Sequence, residues 1–325
     1  RSGKSPPSSG SSWQFFYVAV ALLKRKKFTC RNENHRIAVL IAARNEENVI
    51  GQLLDSIHAQ KNYPMDHVDI YVGADNCTDD TARVARERGA IVFERHDTVH
   101  VGKGYVLNEM LKRIKRPGRK HYDAYLVLDA DNILDLNFIS EIEKVYSSGY
   151  EIVTCYRNSK NYGDNWISAG YALWFLRESR FLNRPRTQLG VNCAVSGTGF
   201  LVSSQAIRED GGWPYHLLTE DIEFSIACAS RGRRIGYCGT AVIYDEQPEK
   251  FKQSWDQRMR WSKGFYQVDA KYTGSLLRGC TSGGRKGMSC YDMLMTVAPC
   301  NLFTIAVLAL SIIVCVASLT QPAFI

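Results

Sequence analysis

Residues 37–47 read IAVLIAARNEE, an apolar run that ends abruptly in charged and amide side chains. Residues 125–131, YLVLDAD, follow the same arrangement and lead from an apolar run into two aspartates. Short runs of this kind, rich in Ile, Val and Leu, are typical of strands buried on both faces of a parallel sheet. Open α/β folds bind their ligands beyond the carboxyl ends of such strands. The two stretches therefore predict both the fold class and the position of the site.

Strand patterns alternate with amphipathic helical patterns through the first half of the chain. We predict strands at 37–43, 68–74, 91–94 and 125–129, and helices at 47–59, 79–88 and 104–114. This alternation predicts an α/β domain with a mostly parallel sheet flanked by helices, because each parallel connection needs a crossover. The polar residues that follow the strands should converge on one site: Arg44, Asn45, Glu46, Asp75, Asn76, Asp129 and Asp131.

The composition narrows the class of partner. The chain of 325 residues carries 41 Lys and Arg against 33 Asp and Glu, a formal charge of +8. Such an excess suits anionic partners such as nucleotides or acidic lipid headgroups. No nucleic-acid-binding motif accompanies the basic residues, so we predict no nucleic-acid partner. The 10 cysteines form no CxxC pair and no zinc-ligand spacing with histidine, which favours reduced, buried thiols.

The amino-terminal end differs in composition from the middle of the chain. Residues 1–12 are rich in Ser, Pro and Gly, and we predict a disordered cut end or linker there. Residues 13–28 combine a short apolar run with a cluster of four basic residues at 24–27. This pattern is typical of a truncated transmembrane segment or an interfacial anchor. The basic cluster predicts that the domain after it lies in the cytoplasm.

The carboxyl-terminal end contains a second apolar stretch, from Leu302 to Leu319, without charged residues. We predict a transmembrane helix over 293–320, with the buried helix of a soluble protein as the alternative. Between the two ends we predict a cytoplasmic catalytic domain over 36–270 and a basic juxtamembrane loop over 271–292. This organisation predicts a multi-pass protein of the cell membrane.

Asp129 and Asp131 are the first candidates for chemistry. Their spacing of i, i+2 at the end of a strand places both carboxylates on the same side. Together they can hold one hard cation, Mg²⁺ or Mn²⁺, which would bind the phosphates of a nucleotide sugar. Aspartates that cap a helix or form a turn are the alternative, and for an isolated Asp-x-Asp that alternative is preferable.

Asp75 and Lys103 are candidates for donor binding. Asp75 directly follows the second strand, where a carboxylate can accept hydrogen bonds from a nucleobase or a ribose. Asp79, four residues later, is better explained as a helix cap. Lys103 lies between two glycines at the start of the third helix, where a cation and free N–H groups can meet phosphate. An exposed turn with a solvated lysine explains Lys103 equally well.

Thr219-Glu220-Asp221 precedes a stretch with helical apolar spacing, so Thr219 is predicted to cap a helix. The cap does not require both acids. A carboxylate at the mouth of the cleft can accept the proton of an attacking hydroxyl, which makes Asp221 a candidate general base.

Gln257, Arg260 and Trp261 lie at i, i+3 and i+4 and share one face of a predicted helix. Arg260 can hold a diphosphate, while Trp261 can stack on the apolar face of a sugar ring. Gln257 can form hydrogen bonds with sugar hydroxyls. An amphipathic helix at a membrane surface is compatible with the same pattern.

In their order along the chain, these motifs resemble family 2 glycosyltransferases. The likeness is greatest to the processive branch, which includes cellulose, hyaluronan, chitin and poly-N-acetylglucosamine synthases. The motifs are Ala43-Arg44-Asn45-Glu46-Glu47, the Asp75 loop, Gly102-Lys103-Gly104, Asp129-Ala130-Asp131, Thr219-Glu220-Asp221 and Gln257-Arg258-Met259-Arg260-Trp261. The resemblance implies a GT-A fold, a UDP-sugar donor, Mg²⁺ or Mn²⁺, a carbohydrate acceptor and an inverting displacement. The implied product is a growing β-linked polysaccharide extended by a hexose or N-acetylhexosamine.

The resemblance also implies residue roles. The implied binding residues are Ala43, Asn45, Glu46, Asp75, Lys103, Asp129, Gln257, Arg260 and Trp261. Of these, Arg260 and Trp261 would meet the diphosphate and the acceptor. Asp129 and Asp131 would also hold the metal, Asp221 would be the general base, and Ser196-Gly197-Thr198 would contact the acceptor sugar.

The chain departs from the family pattern at Asp75-Asn76-Cys77, where the family usually has Asp-Gly or Asp-Asp. Transfer of a single sugar to a lipid or short glycan remains an alternative. A catalytically silent nucleotide-sugar-binding protein is less favoured, because all the acids are retained.

Overall fold

A computed structural model describes residues 12–22, 28, 34–116, 118 and 120–320; for 12–15, 299–304 and 319–320 it describes the backbone alone. The predicted amino-terminal tail lies outside these residues except for Ser12. The strands are β1 (Ile37–Ala43), β2 (Val68–Asp75), β3 (Ile91–Arg95), β4 (Ala124–Asp129), β5 (Ile133–Leu134), β6 (Ile152–Ser159), β7 (Phe200–Ser203) and β8 (Ile235–Asp245). The helices are α1 (Ser12–Ala21), α2 (Ile50–His58), α3 (Thr81–Glu87), α4 (Lys103–Ile114), α5 (Phe138–Ser147), α6 (Trp166–Arg177), α7 (Arg184–Leu189), α8 (Ser204–Glu209), α9 (Glu220–Arg231), α10 (Phe251–Cys280) and α11 (Gly284–Thr320).

These strands form one mostly parallel sheet in the order β3-β2-β1-β4-β7-β6-β8-β5. The four predicted strands are confirmed and form its parallel half, β3-β2-β1-β4. The other half is mixed, because β7 runs antiparallel to both β4 and β6, and β5 runs antiparallel to β8. Strand β6 pairs in parallel with β8.

Both faces of β1, β2 and β4 are buried, which explains the continuous apolar runs of these strands. On one face, Ile37, Val39 and Ile41 belong to a core shared with α2 and α5. On the other face, Ala38 and Leu40 belong to a core shared with α4 and α9. Because helices cover both faces, the polar residues at the ends of these strands gather at the carboxyl edge of the sheet.

The stretch 271–292 was predicted to be a basic loop, and this prediction is wrong. Residues 271–280 complete α10, residues 284–292 begin α11, and a short turn joins the two helices. Leu276, Cys290 and Met293 are buried together with Ile226 of α9. A side chain at Gly279 would overlap the sulfur of Cys290, so glycine allows the two helices to approach closely.

Helix α11 continues past this packed region into exposed apolar residues. Ile305 is 62 % and Ile312 64 % exposed. Among the residues that the structure describes, no helix is both long and apolar enough to cross a membrane. The predicted span over 293–320 includes 299–304 and 319–320, whose side chains lie outside the described set.

The predicted anchor at 13–28 contains α1, and its basic cluster at 24–27 lies outside the described residues. Tyr17 and Val20 are buried, whereas Phe16 and Val18 are exposed. Helix α1 packs against α7 and the turn before it, with the Arg186 guanidinium 6.0 Å from the centre of the Tyr17 ring.

Candidate active site

A cleft of about 1010 Å³ opens at the carboxyl ends of β1, β2 and β4. Elements from the second half of the chain, including α6, α9 and α10, complete its walls. The sequence-predicted residues that line it are Ala43, Glu46, Asp75, Lys103, Asp129, Asp131, Asp221, Gln257, Arg260 and Trp261. Residues up to 218 positions apart in the sequence therefore meet in one cavity. For the acids that end the parallel strands, this agrees with the strand-end rule, by which ligands bind beyond the carboxyl ends of the strands.

Asn45 is the one predicted donor residue that does not line the cleft. Its backbone is left-handed, with φ of 57°, a conformation that asparagine tolerates better than most residues. Its Oδ1 accepts a hydrogen bond from the backbone N–H of Thr78 at 2.8 Å. Asn45 thus joins the loops that follow β1 and β2.

Asp75 is buried at the end of β2. Its Oδ1 accepts hydrogen bonds from Arg95 Nη1 at 2.6 Å and from Asn76 Nδ2 at 3.1 Å. The carboxylate is thereby held in one orientation at the cleft wall. The predicted cap by Asp79 is wrong, because the N-cap of the following helix is Asp80. Asp79 lies one residue earlier, where its Oδ1 accepts a hydrogen bond from the backbone N–H of Thr81 at 3.1 Å.

Lys103 begins α4 and points into the cleft rather than into solvent. Its Nζ forms an ion pair with Asp129 and donates to the carbonyl oxygen of Gly197 at 2.8 Å. A side chain at Gly104 would overlap the carbonyl oxygen of Tyr215, so this glycine permits α4 to approach the loop before α9. The solvated-turn alternative for Lys103 is excluded.

Asp129 and Asp131 lie in a region of excess negative charge. The backbone N–H of Asp129 donates to Asn132 Oδ1 at 3.0 Å and to Thr198 Oγ1 at 2.8 Å, which fixes the strand end. Burial raises the pKa of Asp131 to about 8, and the neighbouring carboxylates of Asp245 and Asp129 add to this increase. A carboxylate whose charge is so poorly compensated favours a bound cation.

The oxygen atoms that Asp129 and Asp131 offer as metal ligands fit Mg²⁺ or Mn²⁺. Both aspartates offer the oxygen ligands that hard cations prefer, and such ions are often bound by one or two carboxylates plus substrate phosphates and water. Within the described part of the chain, no cluster of three or more His, Cys, Asp or Glu side chains has metal-ligand geometry. Asp129 and Asp131 would therefore hold the ion together with oxygens from a diphosphate and from water.

Asp245 was missed by the sequence reasoning. It ends β8 almost fully buried and accepts hydrogen bonds from Arg157 Nε at 2.8 Å, Asn132 Nδ2 at 2.8 Å and Gln247 Nε2 at 2.7 Å. Its position directly after the apolar run AVIY matches that of Asp75 and Asp129. The strand-end rule would have found it, had the strand been predicted.

Glu220 and Asp221 open α9 inside the cleft. Burial raises the pKa of Glu220 to about 7, with a further contribution from Asp221 and an opposing one from Lys103. Burial also raises the pKa of Asp221. A carboxylate with a raised pKa is a stronger base than an ordinary aspartate, which suits proton abstraction.

Thr219 is the N-cap residue of α9, as predicted, but its side chain does not cap the helix. The hydroxyl of Thr219 makes no capping hydrogen bond and has no hydrogen-bond partner among the described residues. The residue is buried against α10, where a Cβ on Gly264 would lie 2.5 Å from both Thr219 Oγ1 and Cγ2. The close packing of α10 against Thr219 explains why position 264 is occupied by glycine.

Gln257, Arg260 and Trp261 all line the cleft from α10, as their shared helix face predicts. Trp261 packs edge-on against Tyr171 with 5.9 Å between ring centres. Arg260 is exposed at the cleft, and Gln257 Oε1 is buried without a hydrogen-bond partner among the described residues. The face thus supplies a cation, an aromatic ring and an unused hydrogen-bond acceptor.

The fold is of the GT-A type, as in two solved glycosyltransferase structures. A mannosyltransferase from Pyrobaculum calidifontis, solved with GDP-Man and Mn²⁺, has a similar fold with a TM-score of 0.64 and 17% identity, over 96% of this chain and 89% of the other. TarS 1–349 of S. aureus, solved with UDP-GlcNAc, gives a TM-score of 0.54 and 16% identity over 74% of this chain and 66% of the other.

The chain belongs to glycosyltransferase family 2, since the family profile "Glycosyltransferase like family 2" matches residues 35–264. The predicted enzyme class, a hexosyltransferase, is confirmed. The probable glycosyltransferase YdaM of Bacillus subtilis is 26% identical over 73% of this chain and 57% of its own length. Beta-monoglucosyldiacylglycerol synthase of a Nostoc species is 27% identical over 80% and 54%. Poly-beta-1,6-N-acetyl-D-glucosamine synthase of Staphylococcus aureus is 25% identical over 73% and 56%. The chain thus spans about half the length of these curated relatives.

Proposed function

We propose that the chain transfers a hexose or N-acetylhexosamine from a UDP-sugar to an acceptor hydroxyl with inversion. The observation that carries the proposal is the meeting of Asp129, Asp131, Lys103 and Asp221 in one cleft. These residues supply a cation site, a phosphate-binding cation and a base, which are the parts that displacement of a diphosphate requires. A nucleotide-sugar-binding protein without activity would have no need for the buried base.

Donor binding is assigned to the β1, β2 and β4 side of the cleft. Asp75 accepts hydrogen bonds from the uridine, and Lys103 binds the diphosphate. Asp129 and Asp131 would hold Mg²⁺ or Mn²⁺, which would neutralise charge on the leaving diphosphate. Structures with a similar fold support this part, because one was solved with GDP-Man and Mn²⁺ and another with UDP-GlcNAc.

The reaction is a single displacement at the anomeric carbon. Asp221 takes the proton of the acceptor hydroxyl as its oxygen bonds to the anomeric carbon. The bond from that carbon to the diphosphate oxygen breaks on the opposite face, and its electron pair leaves with UDP. Lys103 and Arg260 stabilise the negative charge of the departing diphosphate.

Two acceptors are compatible with this mechanism. Extension of a β-linked polysaccharide is supported by the face of Gln257, Arg260 and Trp261 and by similarity to a poly-N-acetylglucosamine synthase. Transfer of one sugar to a lipid is supported by similarity to enzymes named for monoglucosyldiacylglycerol synthesis. Product length on a sizing gel distinguishes the two.

We also propose that the chain works at the cytoplasmic face of the cell membrane. Exposed apolar residues on α11, such as Ile305 and Ile312, and the exposed side chains of Trp174 and Trp255 support contact with a membrane. Aromatic residues of this kind are enriched at membrane interfaces. Flotation with vesicles of anionic lipid should carry the protein to the top of a density gradient. Recovery in the bottom fraction with every lipid composition would contradict the location.

The test of the catalytic proposal is Asp221→Asn, assayed by UDP release with a panel of UDP-sugars and Mn²⁺. We expect transfer to fall by about 10²–10⁴, the usual contribution of a general base, while donor affinity measured by calorimetry stays unchanged. Asp164→Asn, at an exposed position outside the cleft, is the control and should retain full activity. Undiminished transfer by Asp221→Asn would refute the assignment.

A further inference from the structure

A π-helical turn, Glu178–Asn183, follows α6 and forms part of the cleft wall. Turns of this kind are rare and are often found at functional sites. Asn183 fixes the turn, because its Nδ2 donates to the carbonyl oxygen of Ala194 at 3.1 Å and its Oδ1 accepts from the N–H of Ala194 at 3.0 Å. The turn is thus held firmly against the segment that leads to Ser196.

Glu178 begins this turn and lines the cleft. Its Oε1 accepts a hydrogen bond from the Ser196 hydroxyl, and its Oε2 has no hydrogen bond within the described residues. Burial raises the pKa of Glu178 and Asp221 contributes to the increase, whereas the Ser196 hydrogen bond, Arg186 and Arg157 oppose it. One carboxylate oxygen is therefore left for a ligand in the cleft.

Glu178 is close to the proposed site of reaction. Gly197, the residue after Ser196, accepts from Lys103 Nζ at 2.8 Å. A Cβ built on Gly197 would lie 3.8 Å from Asp221 Oδ2. Ser196, which donates to Glu178, and Gly197, which lies beside Asp221, are adjacent residues. Their Cα atoms are therefore about 3.8 Å apart. The two carboxylates can therefore contact one monosaccharide.

Aromatic rings of α6 line the same part of the cleft. Tyr171 packs edge-on against Trp261, Trp174 is 56 % exposed, and Phe175 lies 4.5 Å from the Arg157 guanidinium. Aromatic rings provide flat apolar area with little loss of side-chain entropy, and a carboxylate accepts hydrogen bonds from hydroxyl groups. This combination is suited to a sugar ring.

We propose that Glu178 binds the acceptor sugar, and that the acceptor is a carbohydrate rather than diacylglycerol. A carboxylate can only accept hydrogen bonds, and a sugar presents further hydroxyl donors beside the one that reacts. Diacylglycerol has a single hydroxyl, which the reaction consumes, and its remaining polar atoms are ester oxygens that cannot donate. Glu178 therefore selects for an acceptor with additional donors. The assignment rests on the proposed transfer reaction.

The test compares Glu178→Ala and Glu178→Gln with Glu143→Gln as the matched control. Glu143, like Glu178, accepts a hydrogen bond from a serine hydroxyl, that of Ser147, but it is buried on α5 away from the cleft. The acceptors are N-acetylglucosamine tetrasaccharide, cellotetraose and dioleoylglycerol in detergent micelles, with UDP-N-acetylglucosamine or UDP-glucose as donor.

We expect Glu178→Ala to raise the KM for the tetrasaccharide used by the wild type about tenfold to a hundredfold, the effect of losing a hydrogen bond to a charged group. Glu178→Gln keeps one acceptor oxygen, so its increase in acceptor KM should be smaller. This variant also provides the test if Glu178→Ala does not fold. Donor affinity measured by calorimetry should be unchanged in all variants, and the control should match the wild type.

An unchanged acceptor KM in both Glu178 variants would overturn the inference, as would a wild-type preference for dioleoylglycerol. Either result leaves the proposed reaction intact, provided that the wild type binds the donor and transfers the sugar. Failure of the wild type to bind any UDP-sugar would instead refute the proposed function itself.

Discussion

Replacing Gly264 with alanine tests how α10 positions the start of α9. A Cβ at this position would lie 2.5 Å from Thr219 Oγ1 and Cγ2 and 2.9 Å from Thr219 Cβ. Carbon atoms in good contact are about 3.5–4.0 Å apart, so α10 or Thr219 must move by about 1 Å. Thr219 is buried and β-branched, which leaves it little freedom to rotate away.

Gly274→Ala is the matched control, because it lies in the same helix and a Cβ there would meet no atom within 4 Å. Alanine is favoured over glycine by about 1 kcal/mol in a helix interior, and both variants gain this term. Overpacking costs typically about 1–3 kcal/mol and applies only at Gly264. The free energy of unfolding of Gly264→Ala should therefore be about 1–3 kcal/mol lower than that of Gly274→Ala.

Urea unfolding followed by circular dichroism measures this difference. Thr219→Ala combined with Gly264→Ala should recover part of the loss, because it removes two of the three overlapping atoms. Transfer activity of Gly264→Ala should also fall, since Thr219 immediately precedes Glu220 and Asp221. Equal stability of the two alanine variants would show that α10 does not pack tightly on Thr219 and would refute the reasoning.

Three further predictions concern the same cleft. Burial raises the pKa of Asp221, and the base must be ionised to act. On acidification, kcat/KM should therefore fall at a higher pH than it would with an aspartate of ordinary pKa. A kcat/KM that stays constant down to the ordinary pKa of aspartate would contradict this. Glu220, whose pKa is raised to about 7, binds its proton more tightly in the folded state, so its contribution to stability is full below about pH 4.3 and is lost as pH rises through 7. Glu220→Gln should therefore raise the free energy of unfolding at pH 8 by on the order of 3 kcal/mol, but hardly at pH 4, and an equal effect at both pH values would disprove the assignment. Trp261→Ala should raise the acceptor KM about fivefold through lost stacking, whereas Trp261→Phe should retain most of the affinity; an effect confined to the donor KM would place the ring elsewhere.

The sequence alone determined the parallel half of the sheet and the acids at its edge. Strand β1 was predicted with its observed ends, and Asp75 and Asp129 end β2 and β4. Burial on both faces produces a local pattern of continuous apolar residues, and the polar residue after such a run necessarily lies at the sheet edge. The helix face of Gln257, Arg260 and Trp261 was equally predictable, because helical spacing is a local property.

Only the tertiary structure decided which residues meet across elements. The antiparallel insertion of β7 brings Thr198 to the backbone of Asp129, and β8 brings Asp245 beside Asp131. The role of Thr219 depends on a glycine in another helix, and Glu178 reaches the cleft through a π-helical turn. Such contacts depend on pairings between distant segments, and burial and charge then alter the chemistry of each carboxylate in ways that local periodicity does not encode.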